Sequence, residues 1–199
     1  MLNQSIIDRW GAFALAPGEN LCIIVHMNGP EKIHVILTGG TIDSYYEGAK
    51  DSVIPNKISV IPDVLKGFRL ADKITSTQVC MKDSRDLTDS DRKKILDAVQ
   101  KSAHDKIIIT HGTYTMPDTA RYLKAHLSPS DKTIVLTGSF IPIHGFAPSD
   151  GTFNLGYALA VVKTLPPGIY VTMNGKVFNP EDVLKNLSEG TFTSILGEK

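Results

Sequence analysis

Hydrophobic positions along this chain fall into two alternating rhythms. Short apolar runs occur at Ile33 and Val35-Ile36-Leu37, Ile107-Ile108-Ile109, Ile134-Val135-Leu136 and Ile169–Met173. Each is bounded by polar or turn residues, the pattern of strands buried on both faces of a parallel sheet. Ile74–Met81 alternates as a further strand. Between these runs the apolar residues take helical spacing. Val60, Ile61, Val64 and Leu65 mark a helix around Ser59–Lys66, and Ala120, Leu123 and Leu127 follow Pro117, which suits a first helical turn. Thr88 opens a helix reaching about Ser102, with Asp91 at capping-box distance and Ile95, Leu96 and Val99 on one face. Leu155, Ala158, Leu159 and Val162 mark the last. Five alternations of strand and helix predict an α/β fold with a doubly wound, mainly parallel sheet and right-handed crossovers. The flavodoxin-like strand order 2-1-3-4-5 is one of the two common choices and is adopted here.

The flanking segments are less regular. Within residues 1–31, Ile6, Ile7 and Trp10 suit a short amphipathic helix, Leu21–Val25 reads as a strand and Asn28-Gly29-Pro30 as a turn, giving an N-terminal extension that forms a hairpin or edge strand. Residues 32–199 form the main domain. Asp43–Ser52 is polar and aperiodic, predicting a long binding loop or lid. A second long loop, Phe140–Gly151, carries Phe140, Ile141, Ile143 and Phe146, more apolar surface than a solvated loop should expose.

Composition narrows the function. The 199 residues suit one domain, and 21 basic side chains balance 21 acidic ones, so charge makes no case for nucleic acid or an anionic membrane. The two cysteines, Cys22 and Cys80, lie in predicted strands and read as buried reduced thiols. The six histidines are scattered without zinc-ligand spacing, so no metal is expected. No apolar run nears the ~20 residues of a membrane span, and the polar opening segment, with no basic region ahead of an apolar one, is not expected to act as a secretory signal. The expectation is a soluble cytoplasmic protein.

The predicted topology carries every polar cluster that follows a strand to one sheet edge. Strand one ends in Gly39-Gly40-Thr41, strand two in Lys82-Asp83-Ser84-Arg85-Asp86, strand three in His111-Gly112-Thr113-Tyr114-Thr115 and strand four in Gly138-Ser139. Ligands bind at that edge in open α/β sheets, where the strand order reverses. A threonine hydroxyl there needs a neighbouring base to become a nucleophile, and adjacent glycines leave backbone N–H groups open to a developing oxyanion. The chain lacks a Gly-x-Ser-x-Gly elbow, a Walker loop and the Rossmann glycine pattern. Each residue also has a plainer reading: Thr41, Ser84 and Asp86 as turn or cap residues, Lys185 as a solvated helix lysine, Tyr114 as packing, His111 as a partner for backbone groups.

Thr38-Gly39-Gly40-Thr41-Ile42 and His111-Gly112-Thr113-Tyr114-Thr115 resemble the two signature motifs of the bacterial-type L-asparaginase family, Thr-Gly-Gly-Thr-Ile and His-Gly-Thr-Asp-Thr. Thr119-Ala120, Val135–Ser139, Ser149–Leu155, Met173-Asn174, Asp182–Lys185, Phe192 and Ser194 extend the resemblance over about residues 32–195. It implies the fold of the asparaginase N-terminal domain and hydrolysis of the side-chain amide of L-asparagine through a threonine acyl-enzyme, with no cofactor. By position, Thr41 is the nucleophile, Thr113 and Lys185 activate water or relay protons, and Tyr45 or Tyr46, with Tyr46 chosen, assists from the following loop. Ser84 binds the substrate carboxylate, and Gly40, Asp83, Gly112 and Tyr114 line the substrate. Two departures stand out. Tyr114 replaces the family aspartate that holds the α-ammonium, with Asp83 or Asp86 as electrostatic substitutes, and the resemblance stops where the family's first domain ends, so the smaller C-terminal domain is expected to be absent. These departures favour two alternatives, an amidase with another substrate or a weakly catalytic small-molecule binder. An open site without that domain predicts a homodimer or larger homo-oligomer, held partly by Phe140–Gly151.

Overall fold

The computed structural model describes residues 30–128 and 131–196, and from Glu31 onward they belong to one compact unit. The strand and turn expected before Pro30, and Cys22 with them, lie outside the described residues. In chain order the elements are β1 (Lys32–Gly39), a hairpin of β2 (Ser44–Glu47) and β3 (Ser52–Pro55), α1 (Ile61–Gly67), β4 (Lys73–Lys82), α2 (Asp89–Lys101), β5 (Lys106–Thr110), α3 (Met116–His126), β6 (Thr133–Thr137), α4 (Gly151–Val161), β7 (Gly168–Met173), β8 (Lys176–Phe178) and a second hairpin of β9 (Val183–Asn186) and β10 (Thr191–Ser194). Single 3-10 turns follow β1 and β4 and precede β9. No helix among the described residues is long and apolar enough to cross a membrane.

The main sheet has the order β4-β1-β5-β6-β7-β8. The first five strands are parallel and β8 is antiparallel, so the expected 2-1-3-4-5 order holds and gains an edge. Strand alternation divides the core between two helical layers, because successive side chains point to opposite faces. Ile36, Ile107, Ile109, Ile134 and Leu136 pack with α2 and α3, while Val35, Leu37, Ile108 and Val135 pack with α1 and α4. Thr88 caps α2 as its pattern predicts: its hydroxyl accepts from the Asp91 N–H at 3.3 Å, and the Asp91 carboxylate accepts from the Thr88 N–H at 3.0 Å. Cys80 is a free cysteine, and burial pushes its thiol up to about 11.

Two expectations are corrected. The chain runs from β1 to β4 across the α1 face, then past β1 to β5 and on to β6 across the α2–α3 face. These three connections share one hand, the right-handed one of nearly all such crossovers. From β6 to β7 the chain keeps its direction along the sheet but passes α4 over the opposite face, so this crossover is left-handed. The long segment after Thr137 makes the detour possible. It is pinned by Asp150, whose carboxylate accepts from the N–H groups of Phe140 and Ile141 at 2.9 Å each. The second correction is that Asp43–Ser52 is no loop: it is most of the β2–β3 hairpin, paired Tyr46 with Val53 and Ser44 with Pro55.

Candidate active site

Three strand ends meet here with almost no space between their backbones. Gly40 has φ +78°, a conformation that favours glycine, and a Cβ there would lie 2.3 Å from the Gly112 nitrogen. A Cβ on Gly112 would lie 2.7 Å from Ser84. Any larger residue at either position would push β1, β5 and the turn after β4 apart. The Gly40 N–H donates to the Lys82 carbonyl at 2.8 Å, tying β1 to β4 just before Thr41.

Thr41 is half-buried and opens the 3-10 turn Thr41–Asp43. Asp43 holds that turn from beneath. It is fully buried, and its Oδ1 accepts from the Val60 N–H at 2.9 Å and the Asn56 amide at 3.1 Å. Ser44 adds a hydroxyl bond to the Gly40 carbonyl at 2.7 Å.

Thr113 follows β5 and is buried. The Lys185 ammonium donates to its hydroxyl at 2.8 Å, spanning 72 residues of sequence to do so. Lys185 belongs to β9, whose hairpin is fixed from several sides. The Arg121 guanidinium donates to the Val183 carbonyl at 2.8 Å, and the Phe192 N–H donates to the Asn174 side chain at 3.1 Å. The Lys185 nitrogen lies 5.0 Å from the Phe140 ring centre and 5.4 Å from that of Tyr114. Burial lowers its pKa, with Arg85 adding to the effect and Asp83 opposing it.

Ser84 is almost wholly buried. Its oxygen accepts from the N–H groups of Tyr114 and Thr115 at 3.2 and 3.3 Å, and the Thr115 hydroxyl donates to the Ser84 carbonyl at 2.7 Å. With two bonds accepted, the Ser84 O–H proton has no acceptor among the described residues. Asp83 binds Arg85 through both carboxylate oxygens, at 3.0 Å to Nε and 2.9 Å to Nη2. Tyr114 stands half exposed above this group. His111 has the plain role: buried and neutral, with burial pushing it down to about 4, it donates Nδ1–H to the Gly112 carbonyl at 2.8 Å. Its Nε2 then accepts from the Thr119 hydroxyl at 2.9 Å.

The fold thus gathers Thr41, Gly40, Asp83, Ser84, Gly112, Thr113, Tyr114 and Lys185 on one edge. Tyr46 is placed differently. It lies on the outer hairpin and donates its hydroxyl to Asp51, while Tyr45 donates to Glu47 at 3.3 Å. Three contributors were missed in the sequence: Arg85, which appears there only within a charged run, Phe140 beneath Lys185, and Asn174, which anchors the Lys185 hairpin. No group of three or more metal-ligating side chains occurs among the described residues.

Fold and site together define a flavodoxin-like α/β protein with a threonine–lysine pair at the switch point between its first and third parallel strands. The chain belongs to the asparaginase family: the sequence pattern of the family's N-terminal domain matches residues 32–195. It is 31% identical over 165 residues to a glutaminase-asparaginase of Acinetobacter glutaminasificans, covering 77% of this chain and 49% of the relative. The thermostable L-asparaginase from Thermococcus kodakarensis superimposes with a TM-score of 0.71 at 31% identity, over 82% of this chain and 51% of that one. L-asparaginase I from Vibrio cholerae superimposes with a TM-score of 0.73 at 26% identity, over 83% and 51%. The chain therefore spans about half the length of the relatives it matches.

Proposed function

We propose that this protein hydrolyses the side-chain carboxamide of L-asparagine or of a closely related four-carbon amide, through an acyl-enzyme on Thr41. The observation that carries the reading is the Lys185–Thr113 hydrogen bond of 2.8 Å beside the glycine-walled turn that bears Thr41. The names of the relatives, glutaminase-asparaginase and L-asparaginase, agree with it. In the first half-reaction the Thr41 oxygen bonds to the carboxamide carbon and gives up its proton. The C–N bond then breaks and ammonia departs with that proton. In the second, Thr113 and Lys185 take a proton from water, whose oxygen attacks the acyl carbon. That proton then passes to the departing Thr41 oxygen, restoring its hydroxyl, and the acid product leaves as a carboxylate, its remaining proton going to the ammonia released earlier. Lys185 does this work uncharged, which its burial favours. The close packing of Gly40 on Gly112 and of Gly112 on Ser84 fixes the strand ends that present Thr41 and Thr113, and the Ser84 O–H receives the substrate carboxylate. Tyr46 assists after exchanging Asp51 for substrate, so Tyr46→Phe costs less turnover than loss of Thr41. The reaction as written uses no metal or cofactor.

Ammonia release from L-asparagine and related amides, measured for wild type and Thr41→Ala, tests the reading. Turnover should fall by orders of magnitude in the variant, since no other hydroxyl stands in its place. A variant with near wild-type kcat would remove Thr41 from the role. A related amidase remains the second reading, favoured by the exposed ring of Tyr114.

A further inference from the structure

The rim beside Thr113 and Lys185 restricts what a substrate can carry besides its carboxamide. Tyr114, 51% exposed, presents its ring to two cations, with Arg85 Cζ 5.9 Å and Lys185 Nζ 5.4 Å from the ring centre. Two of the carboxylates around this rim are each engaged by an arginine, and a third, Asp86, lies close enough to Arg85 to act on it. Asp83 gives both oxygens to Arg85, at 3.0 and 2.9 Å. Asp118 lines the same groove as Tyr114 and Lys185, about 270 Å³ in volume, and accepts from Arg121 at 3.2 Å.

A substrate ammonium entering beside Thr113 therefore meets basic groups and an aromatic ring, with Asp83 and Asp118 already held by arginines. A ring face can hold a cation. This ring already has two basic groups within 6 Å, and a further cation would be repelled by Arg85, and by Lys185 whenever that side chain holds its proton. A carboxylate meets the opposite field. The Arg85 fork has N–H groups that Asp83 does not use, and the Ser84 O–H is unspent. We infer that the site is built for the monoamide of a dicarboxylic acid without an ammonium group, succinamate in preference to L-asparagine, and that Tyr114 with Arg85 sets this preference.

This inference rests on the hydrolase reading, and two measurements separate them. Succinate and L-aspartate are the two products and differ only in the ammonium group. Calorimetry with wild-type protein therefore reads the preference without catalysis. Succinate should bind at least about tenfold more tightly, a difference of about 1.4 kcal/mol, and Tyr114→Asp should erase or invert the ratio. Tighter or equal binding of L-aspartate by wild type overturns the inference, as does failure to bind either at millimolar concentration. An unchanged ratio in a folded Tyr114→Asp variant overturns the role of Tyr114. Ammonia release from succinamate and L-asparagine should show the same preference in kcat/KM. Selective succinate binding without ammonia from either amide would uphold the charge preference and sink the hydrolase reading.

Discussion

Lys185 does its proposed work only after losing a proton, so the groups around it should be visible in a pH profile. Burial and Arg85 lower its pKa, while Asp83 raises it. Activity should rise with pH as the ammonium deprotonates, on a limb below that of an ordinary lysine. Asp83→Asn removes the raising influence and should move that limb to lower pH. Arg85→Gln should move it to higher pH. A limb that stays put in both variants would mean that the titration belongs to another group. Lys185→Met should cut kcat more than it raises KM, and a change confined to KM would assign it to binding. Much of this residue-level picture is legible in sequence, because the Thr41 and Thr113 clusters each follow an unmistakable buried strand. Arg85 is not legible that way. Its significance comes from standing over Tyr114, on a different strand end, and no local pattern announces that.

At the scale of elements, α2 gives the cleanest test. Its capping box joins Thr88 to Asp91, and Asp91 also accepts from the Lys82 ammonium at 2.7 Å. Thr88→Ala should cost about 1 kcal/mol, lowering the melting midpoint by roughly 2–4 °C for a domain of this size and leaving kcat unchanged. The Lys82 ammonium, then Thr88, hold the Asp91 carboxyl well below the usual carboxylate range. Its stabilisation is thus present above an unfolded value near 4 and fades as pH falls toward the depressed folded value. The helices with caps and apolar stripes were readable, and so were the five parallel strands. The small antiparallel pieces were not. Residues 43–52 lack alternation because β2 and β3 bury little, leaving the pattern no apolar face to reveal. β7–β8 did carry a signal: the two-residue turn Asn174-Gly175 has φ 55° and 72°, the left-handed pair that Asn-Gly favours in hairpins.

At the scale of the molecule, the sheet order follows from the sequence but the hand of the last crossover does not. α4 is apolar enough for either face, and only the long segment before it allows the unusual one. That segment also bears on assembly. Phe140 and Ile143 pack against the two cores, while Ile141 and Phe146 stay 37% and 38% exposed. The apolar surface offered by the segment is therefore smaller than the sequence implies. Leu184, Leu187, Ile195 and Leu196 add exposed apolar area on and beside the Lys185 hairpin. A homodimer or larger closed assembly that covers the site is proposed. Sedimentation at micromolar concentration should show it, and Phe146→Asp should weaken it. A fully active wild-type monomer would contradict it.

The central claim is that Thr41 carries the acyl group, and trapping that intermediate tests it most directly. Lys185→Met should slow the attack of water on the acyl-enzyme, so acid quenching during turnover should capture a covalent adduct. Peptide mass mapping of the quenched protein should then place the acyl group on Thr41, with none in Thr41→Ala. Steady ammonia release with the adduct on another residue, or with no adduct under any quench, would contradict the account.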